Sequence, residues 1–150
     1  MNKETTGFNT RPNTRLVNLQ QKAKKQAILE GHFQGGVVPY GYQRAYDPEE
    51  RRFVLKLDPY ESTVLKHIFQ EYLKMKSLGK LAGQLNQEGI MNRQHKPWSR
   101  AALAYAISNE VYLGKVKYGE LKAPARHQPI IAPIIYNKAQ MLKRENNKRR

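Results

Sequence analysis

The sequence contains no cysteine, which excludes disulfides and any Cys-ligated zinc site. Its four histidines, His32, His67, His95 and His127, are scattered, with no helical i, i+4 pair among them, so no metal site is readable. No apolar run approaches the roughly 20 residues needed to span a bilayer. The polar opening MNKETTGFNTRPNTR also lacks the apolar centre of a signal peptide. A cytoplasmic location is therefore expected, with no membrane partner and no cofactor. Acidic residues are scarce as well: 12 Asp+Glu stand against 27 Lys+Arg, a net charge of +15 with a pI near 10.1. That excess is beyond what solubility requires and points to a polyanionic partner, nucleic acid first and an anionic membrane surface second.

At 150 residues the chain fits one domain of ordinary size. The charge is unevenly placed, at +4 over residues 1–36, zero over 37–75 and +11 over 76–150. A neutral scaffold joined to a basic binding surface is the expected organisation. Residues 1–34 read as a polar tail and a basic linker helix, 35–142 as the folded domain, and 143–150 as a basic C-terminal tail.

The first fifteen residues show no periodicity and are expected to be disordered. LVNLQQKAKKQAILEG then reads as a helix stopped by Gly31, with a weak stripe of Leu16, Leu19, Ala23, Ala27 and either Ile28 or Leu29. Lys22, Lys24 and Lys25 crowd its middle, so it is either a solvated surface helix or a connector leaning on another domain or on DNA. GGVVPYGYQRAYDPEERRFVLKLDP carries turn and strand chemistry, with Asp47 to Glu50 as the loop of a small antiparallel hairpin. Asp58-Pro59 is a helix start, and Leu65, Ile68, Phe69 and Tyr72 follow at i, i+3, i+4, i+7, predicting a helix to about Lys74. Ser77 caps a second helix through Leu78, Leu81, Ala82 and Leu85, which ends at Gly89. Ser99 caps a third, running to about Asn109, with Leu103, Ala106 and Ile107 inward and Ala101, Ala104, Tyr105 and Ser108 outward. Trp98 is read as core rather than as a base-stacking platform. VYLGKVKYGELK predicts a second short hairpin, and APIIYNKAQMLKRENNKRR a final helix fraying into the basic tail.

Two amphipathic helices joined by a turn, the second poor in large exposed apolar groups, form the arrangement that sets a helix in a DNA major groove. Small residues at 101, 104 and 108 let the backbone approach base edges, and Arg100, near the helix start, is placed to fork onto guanine. The preceding loop carries Arg93, Gln94, His95 and Lys96, of which Arg93 and Lys96 are expected at phosphates and Gln94 at phosphate or base. Lys115, Lys117 and Lys122 on the second hairpin, with Arg126 beyond it, are expected to make further backbone contacts, which set register without specifying sequence. The fold class expected is α+β: a helix-rich DNA-binding domain with a helix-turn-helix-like pair and small antiparallel hairpins, preceded by a linker helix.

The ordered set GGVVPYGY, LDPYESTVLKHIFQEYLK, SLGKLAGQLNQEGI, KPWSRAALAYAISNEVYLGKVKY and QPIIAPIIYNKAQ resembles the recombinase domain of large serine recombinases, over residues 35 to about 142. The resemblance implies sequence-specific binding of double-stranded DNA at an attachment-site half-site in a phage-integrase or transposon-type recombinase. Strand exchange in such a parent implies a tetramer and neither metal nor nucleotide. Leu16 to Glu30 is similar to the tail of that family's linker helix. The family's catalytic serine domain and zinc ribbon have no counterpart in this sequence, so no catalytic residue is assigned and the domain is expected to be monomeric alone. Ser77 and Ser99 are accounted for as caps, and Ser62 and Ser108 as helix positions. Ala132 departs from the family's capping Ser or Asp. A stand-alone DNA-binding regulator and a basic RNA-binding protein are the competing readings.

Overall fold

The computed structural model describes residues 14–149; the N-terminal segment expected to be disordered lies largely outside them, as does Arg150. In chain order the elements are α1 (Thr14–Leu29), β1 (Tyr42–Asp47), β2 (Arg52–Leu57), α2 (Pro59–Met75), α3 (Leu78–Gln87), α4 (Arg100–Ile107), a 3-10 turn (Glu110–Leu113), β3 (Lys115–Tyr118), β4 (Leu121–Pro124) and α5 (Pro133–Lys148). Each strand pair is a separate antiparallel hairpin, β1 with β2 and β3 with β4. The α+β class and both hairpins are as the sequence predicts.

Local chemistry sets the helix starts. The Asp58 carboxylate accepts the N–H groups of Tyr60 and Glu61, Ser77 accepts from Lys80, and Ser99 accepts from Ala102, so each side chain satisfies first-turn donors that the helix cannot. Ala132 makes no such bond, and α5 relies on Pro133 in its first turn. The buried face of α2 comprises Ser62, Val64, Leu65, Ile68, Phe69 and Tyr72. Against it pack Leu81, Ala82 and Leu85 from α3, Leu103, Ala106 and Ile107 from α4, and Tyr136 and Ala139 from α5. Trp98 joins this core edge-on to Tyr40, with ring centroids 5.0 Å apart.

Gly89 ends α3 at a φ of 75°, and the Ile90 N–H returns to the Leu85 carbonyl. Asn86 then reaches across residues 88–99: its amide oxygen accepts the Trp98 N–H at 3.0 Å and its amide nitrogen donates to the Trp98 carbonyl at 3.3 Å. This pair of bonds sets where α4 begins relative to α3. Asn86→Ala is expected to lower stability by about 1 to 2 kcal/mol, a fall of roughly 5 °C in Tm, measurable by thermal unfolding. An unchanged Tm would show that packing of Trp98 alone orients α4.

The PYGY segment is held by an internal strut. Arg93 donates through Nε to Glu61 at 3.0 Å, and through its terminal nitrogens to the carbonyls of Val38 (2.7 Å), Pro39 (3.1 Å) and Tyr42 (2.7 Å) and to the second Glu61 oxygen. Glu61 in turn accepts the Gly41 N–H at 3.0 Å. Gly41 itself sits at a φ of 101°, and a Cβ there would come within 2.8 Å of the Ile130 side chain. Tyr42 is fully buried and donates to the Gln128 carbonyl at 2.6 Å.

Helix α1 behaves differently from the predicted stripe. Of its residues only Ile28 is buried, in a small second core with Val116 and Ala123, while Leu19 remains 57% exposed. Beyond it, the Gly31 carbonyl accepts the Arg126 N–H at 2.9 Å, the Arg126 guanidinium donates to the Glu30 carbonyl at 2.8 Å, and its other arm pairs with Glu50 at 2.7 Å. A Cβ on Gly31 would approach the Pro124 carbonyl oxygen to 2.8 Å, so only glycine permits this contact. These contacts tie the end of α1 to the segment that follows β4. Past residue 143, α5 continues through Lys148, and Asn146 donates to the Lys76 carbonyl at 3.0 Å and to the Tyr72 hydroxyl at 3.4 Å.

Two buried histidines, His32 and His127, are expected to make the fold sensitive to acid. His127 bonds the Val111 carbonyl through Nε2 at 2.8 Å, which requires that nitrogen to carry the proton, and Nδ1 has no partner among the described residues. Burial lowers its pKa, and burial together with the neighbouring Arg52 and Arg126 charges lowers that of His32. The unfolded chain then binds protons first, so this stability is complete above pH ~6.5 and declines as pH falls toward the depressed folded values. Tm is expected to drop between pH 7 and pH 5, at no more than about 1.4 kcal/mol per pH unit for each histidine. A flat profile over that range would mean that neither is held neutral.

Candidate nucleic-acid interface

Helix α4 buries Leu103, Ala106 and Ile107 and turns Arg100, Ala101, Ala104, Tyr105 and Ser108 outward, an arc of about 140° at ~100° per residue. Its C-terminal carbonyls are occupied by α5: Tyr136 donates to Ser108 at 2.8 Å and Gln140 to Ile107 at 2.7 Å. Burial and the more distant Glu110 charge raise the Tyr136 hydroxyl to a pKa of about 12, so it stays a donor at neutral pH. The outward arc thus sits on a helix fixed at both ends.

That arc is a ridge between two clefts. On one flank Arg100, Ala101 and Ala104 border a groove of about 590 Å³, completed by Lys76, Ser77, Lys143, Asn146 and Arg149 among others. On the other flank Tyr105 and Ser108 border a cleft of about 520 Å³, with Gly35, Gly36, Lys115, Lys117 and Lys122. Glu110 lies in this second cleft and pairs with Lys122 at 2.5 Å and Lys115 at 3.6 Å. The Lys122 hydrogen bond, ahead of the other lysine contacts, holds the Glu110 carboxyl below its usual pKa. Lys117 lies opposite Lys122 across the hairpin and has no acidic partner among the described residues. Tyr105 is 77% exposed and Val37 beside the second cleft 87%, so the ridge presents apolar surface as well as charge.

The structure gathers only part of the residue set predicted from sequence. Arg100, Ala101, Ala104, Tyr105, Ser108, Lys115, Lys117 and Lys122 share the ridge and its flanks. Gln94, His95 and Lys96 lie in an adjacent turn, where Asn92 accepts the N–H groups of Gln94 and Lys96 and His95 adopts a φ of 59°. Ser99 has its hydroxyl oxygen at the Ala102 N–H, and the Ser108 hydroxyl donates to Ala104 at 2.9 Å while accepting from Lys143. Both are structural polar groups. Arg93, expected at a phosphate, is corrected: its guanidinium is engaged by Glu61 and three carbonyls inside the fold. Arg126 is likewise occupied by Glu30 and Glu50. Lys22, Lys24 and Lys25 are exposed on α1, with the Lys24 ammonium 6.0 Å from the Tyr118 ring centre. Sequence reasoning missed Lys76, Lys143 and Arg149, which come to the ridge only because α5 packs across α2 and α4.

Among the described residues no helix is long and apolar enough to cross a membrane. Comparison with known proteins places this geometry in context. No curated protein matches the chain. Among solved structures, one described as a crystal structure of an LSR–DNA complex superimposes with a TM-score of 0.72 at 19% identity, over 86% of this chain and 40% of that one. Another, from work on sequence requirements of the Listeria innocua prophage attP site, gives a TM-score of 0.67 at 18% identity, over 83% and 51%. The chain thus spans about half the length of these structures or less, and shares their fold. The Recombinase family model covers residues 59–146, from the Asp58-capped helix to the Asn146 that locks α5 onto α2. With the sequence resemblance thereby borne out, the chain belongs to the Recombinase family.

Proposed function

We propose that this chain binds double-stranded DNA sequence-specifically, as the recombinase domain of a site-specific serine recombinase of phage-integrase or transposon type. It grips one attachment-site half-site by setting α4 in the major groove. The observation that carries the reading is the α4 ridge, small-residued at Ala101 and Ala104 and flanked on both sides by cation-lined clefts. A major groove about 12 Å wide admits such a helix, and the two backbones bordering it then meet the flanks. The chain acts in the cytoplasm, as a monomer when isolated, and the phosphoryl chemistry of recombination belongs to a catalytic serine domain, with a zinc-ribbon domain as a further partner. Family membership and the shared fold support this assignment.

A fluorescence-anisotropy titration against duplex pools, single-stranded DNA and structured RNA at two salt concentrations tests it. One duplex sequence is expected to be selected, with the preference persisting at higher salt. Lys96→Ala or Lys117→Ala is expected to weaken all duplexes alike and to flatten the dependence of log K on log salt by about 0.9 for each phosphate contact removed. Equal binding to every polyanion that salt erases, or preference for RNA with Tyr105 as a stacking platform, would overturn the reading.

A further inference from the structure

At several other places the fold sets acid against base: Glu110 against Lys115 and Lys122, Glu61 against Arg93, Glu50 against Arg126. The groove beside the start of α4 does the opposite. Four cationic residues line it, Lys76, Arg100, Lys143 and Arg149, and none of its lining residues is acidic. They come from three elements: Lys76 from the left-handed cap of α2 at a φ of 61°, Arg100 from the first turn of α4, and Lys143 and Arg149 from α5 and its C-cap. Asn146 fixes the Lys76 backbone from α5, and Lys143 donates to the Ser108 hydroxyl, so the cluster is assembled by the same contacts that lock α5 in place.

Converging like charges repel, and the cost falls when an anion sits among them. The first turn of α3 lies on the same groove through Ser77 and Leu78 and adds the partial positive charge of a helix N-terminus. Its apolar lining is Tyr72, Leu78 and, on the side of the ridge, Ala101 and Ala104, and the groove lies along one flank of the ridge. A helix seated in the major groove brings its crest to the bases and its flanks to the bordering strands.

We propose that this groove seats a backbone phosphodiester of the bound duplex, held by Lys76, Arg100, Lys143 and Arg149. The inference rests on the duplex-binding reading above and changes one role within it: Arg100 sets the register of α4 through the sugar-phosphate backbone, and base discrimination falls to Ala101 and Tyr105. The phosphate at this position is therefore the one that fixes how far along the duplex the ridge sits.

The test uses the selected duplex, with each phosphate near the α4 footprint replaced in turn by a neutral methylphosphonate, against the unaltered chain, the Lys76→Asn/Arg149→Gln double variant and Arg100→Ala. Both double-variant positions are exposed, and asparagine tolerates the left-handed backbone at 76, so an unchanged Tm confirms folding. The unaltered chain is expected to lose about tenfold in affinity at one phosphate. The variants are expected to lose about tenfold on the native duplex and nothing further at that same phosphate, and Arg100→Ala is expected to leave the preferred sequence unchanged. Duplex selection with no phosphate coupled to these residues, or relaxed preference at one base pair for Arg100→Ala, overturns the groove assignment alone. Absence of any duplex selection removes the duplex-binding reading and this proposal together.

Discussion

Arg93→Ala is expected to destabilise the chain by about 3 to 5 kcal/mol, lowering Tm by 10 °C or more, although the residue sits in a loop and reads as a surface cation. The loss leaves Glu61, whose side chain is only 12% exposed, without its partner, and strips donors from the carbonyls of Val38, Pro39 and Tyr42. Arg93→Lys should rescue little, because a single ammonium cannot span the carboxylate and three carbonyls that the planar fork serves together. Urea unfolding of Arg93→Ala, Glu61→Ala and the double variant gives the decisive comparison. The double variant should be less destabilised than the sum of the singles, since removing both partners leaves no unpaired charge. Strict additivity would mean that the ion pair is incidental.

Ala101→Glu is expected to weaken duplex binding by about two orders of magnitude, roughly 3 kcal/mol, while leaving the fold intact. Residue 101 is exposed in the first turn of α4, where a carboxylate favours the helix and where glutamate costs little in propensity. Unchanged or slightly raised Tm together with lost binding would therefore locate the defect at the interface. The same anisotropy titration reads it. Ala101→Ser, which adds a polar group without charge, should bind nearly as the parent does, and a Glu variant that still binds would move the contact surface away from this helix.

Local patterns made the helices legible. Asp58, Ser77 and Ser99 each announce a start within a few residues, and the inward faces of α2, α3 and α4 follow from helical spacing alone. The same applied to Asp47 at the first hairpin turn, whose carboxylate accepts from Glu49 and Glu50. What the pattern did not reveal was the tertiary employment of charge. Arg93 and Glu61 are distant in sequence, and nothing near either residue shows that the two form one strut. Lys76, Lys143 and Arg149 converge only after α5 crosses α2, and a C-terminus rich in Lys, Arg and Asn looks like a fraying tail until Asn146 is seen bonded to Lys76 and Tyr72. For α1, the weak stripe left open what holds the helix, and the structure buries only Ile28 of it, in a small second core.

The latch at Gly31 and Arg126 makes α1 a lever. Its 16 residues extend about 24 Å from that point, at ~1.5 Å per residue. A tilt of about ten degrees at Gly31 would carry the far end some 4 Å, close to the ~3.4 Å of duplex axis per phosphate of one strand. In the proposed duplex-bound state, angular play at this glycine would shift the far end of α1 by about one base-pair step. The tight approach of Gly31 to Pro124, and the Arg126 bridge across it, are the contacts that limit such a tilt.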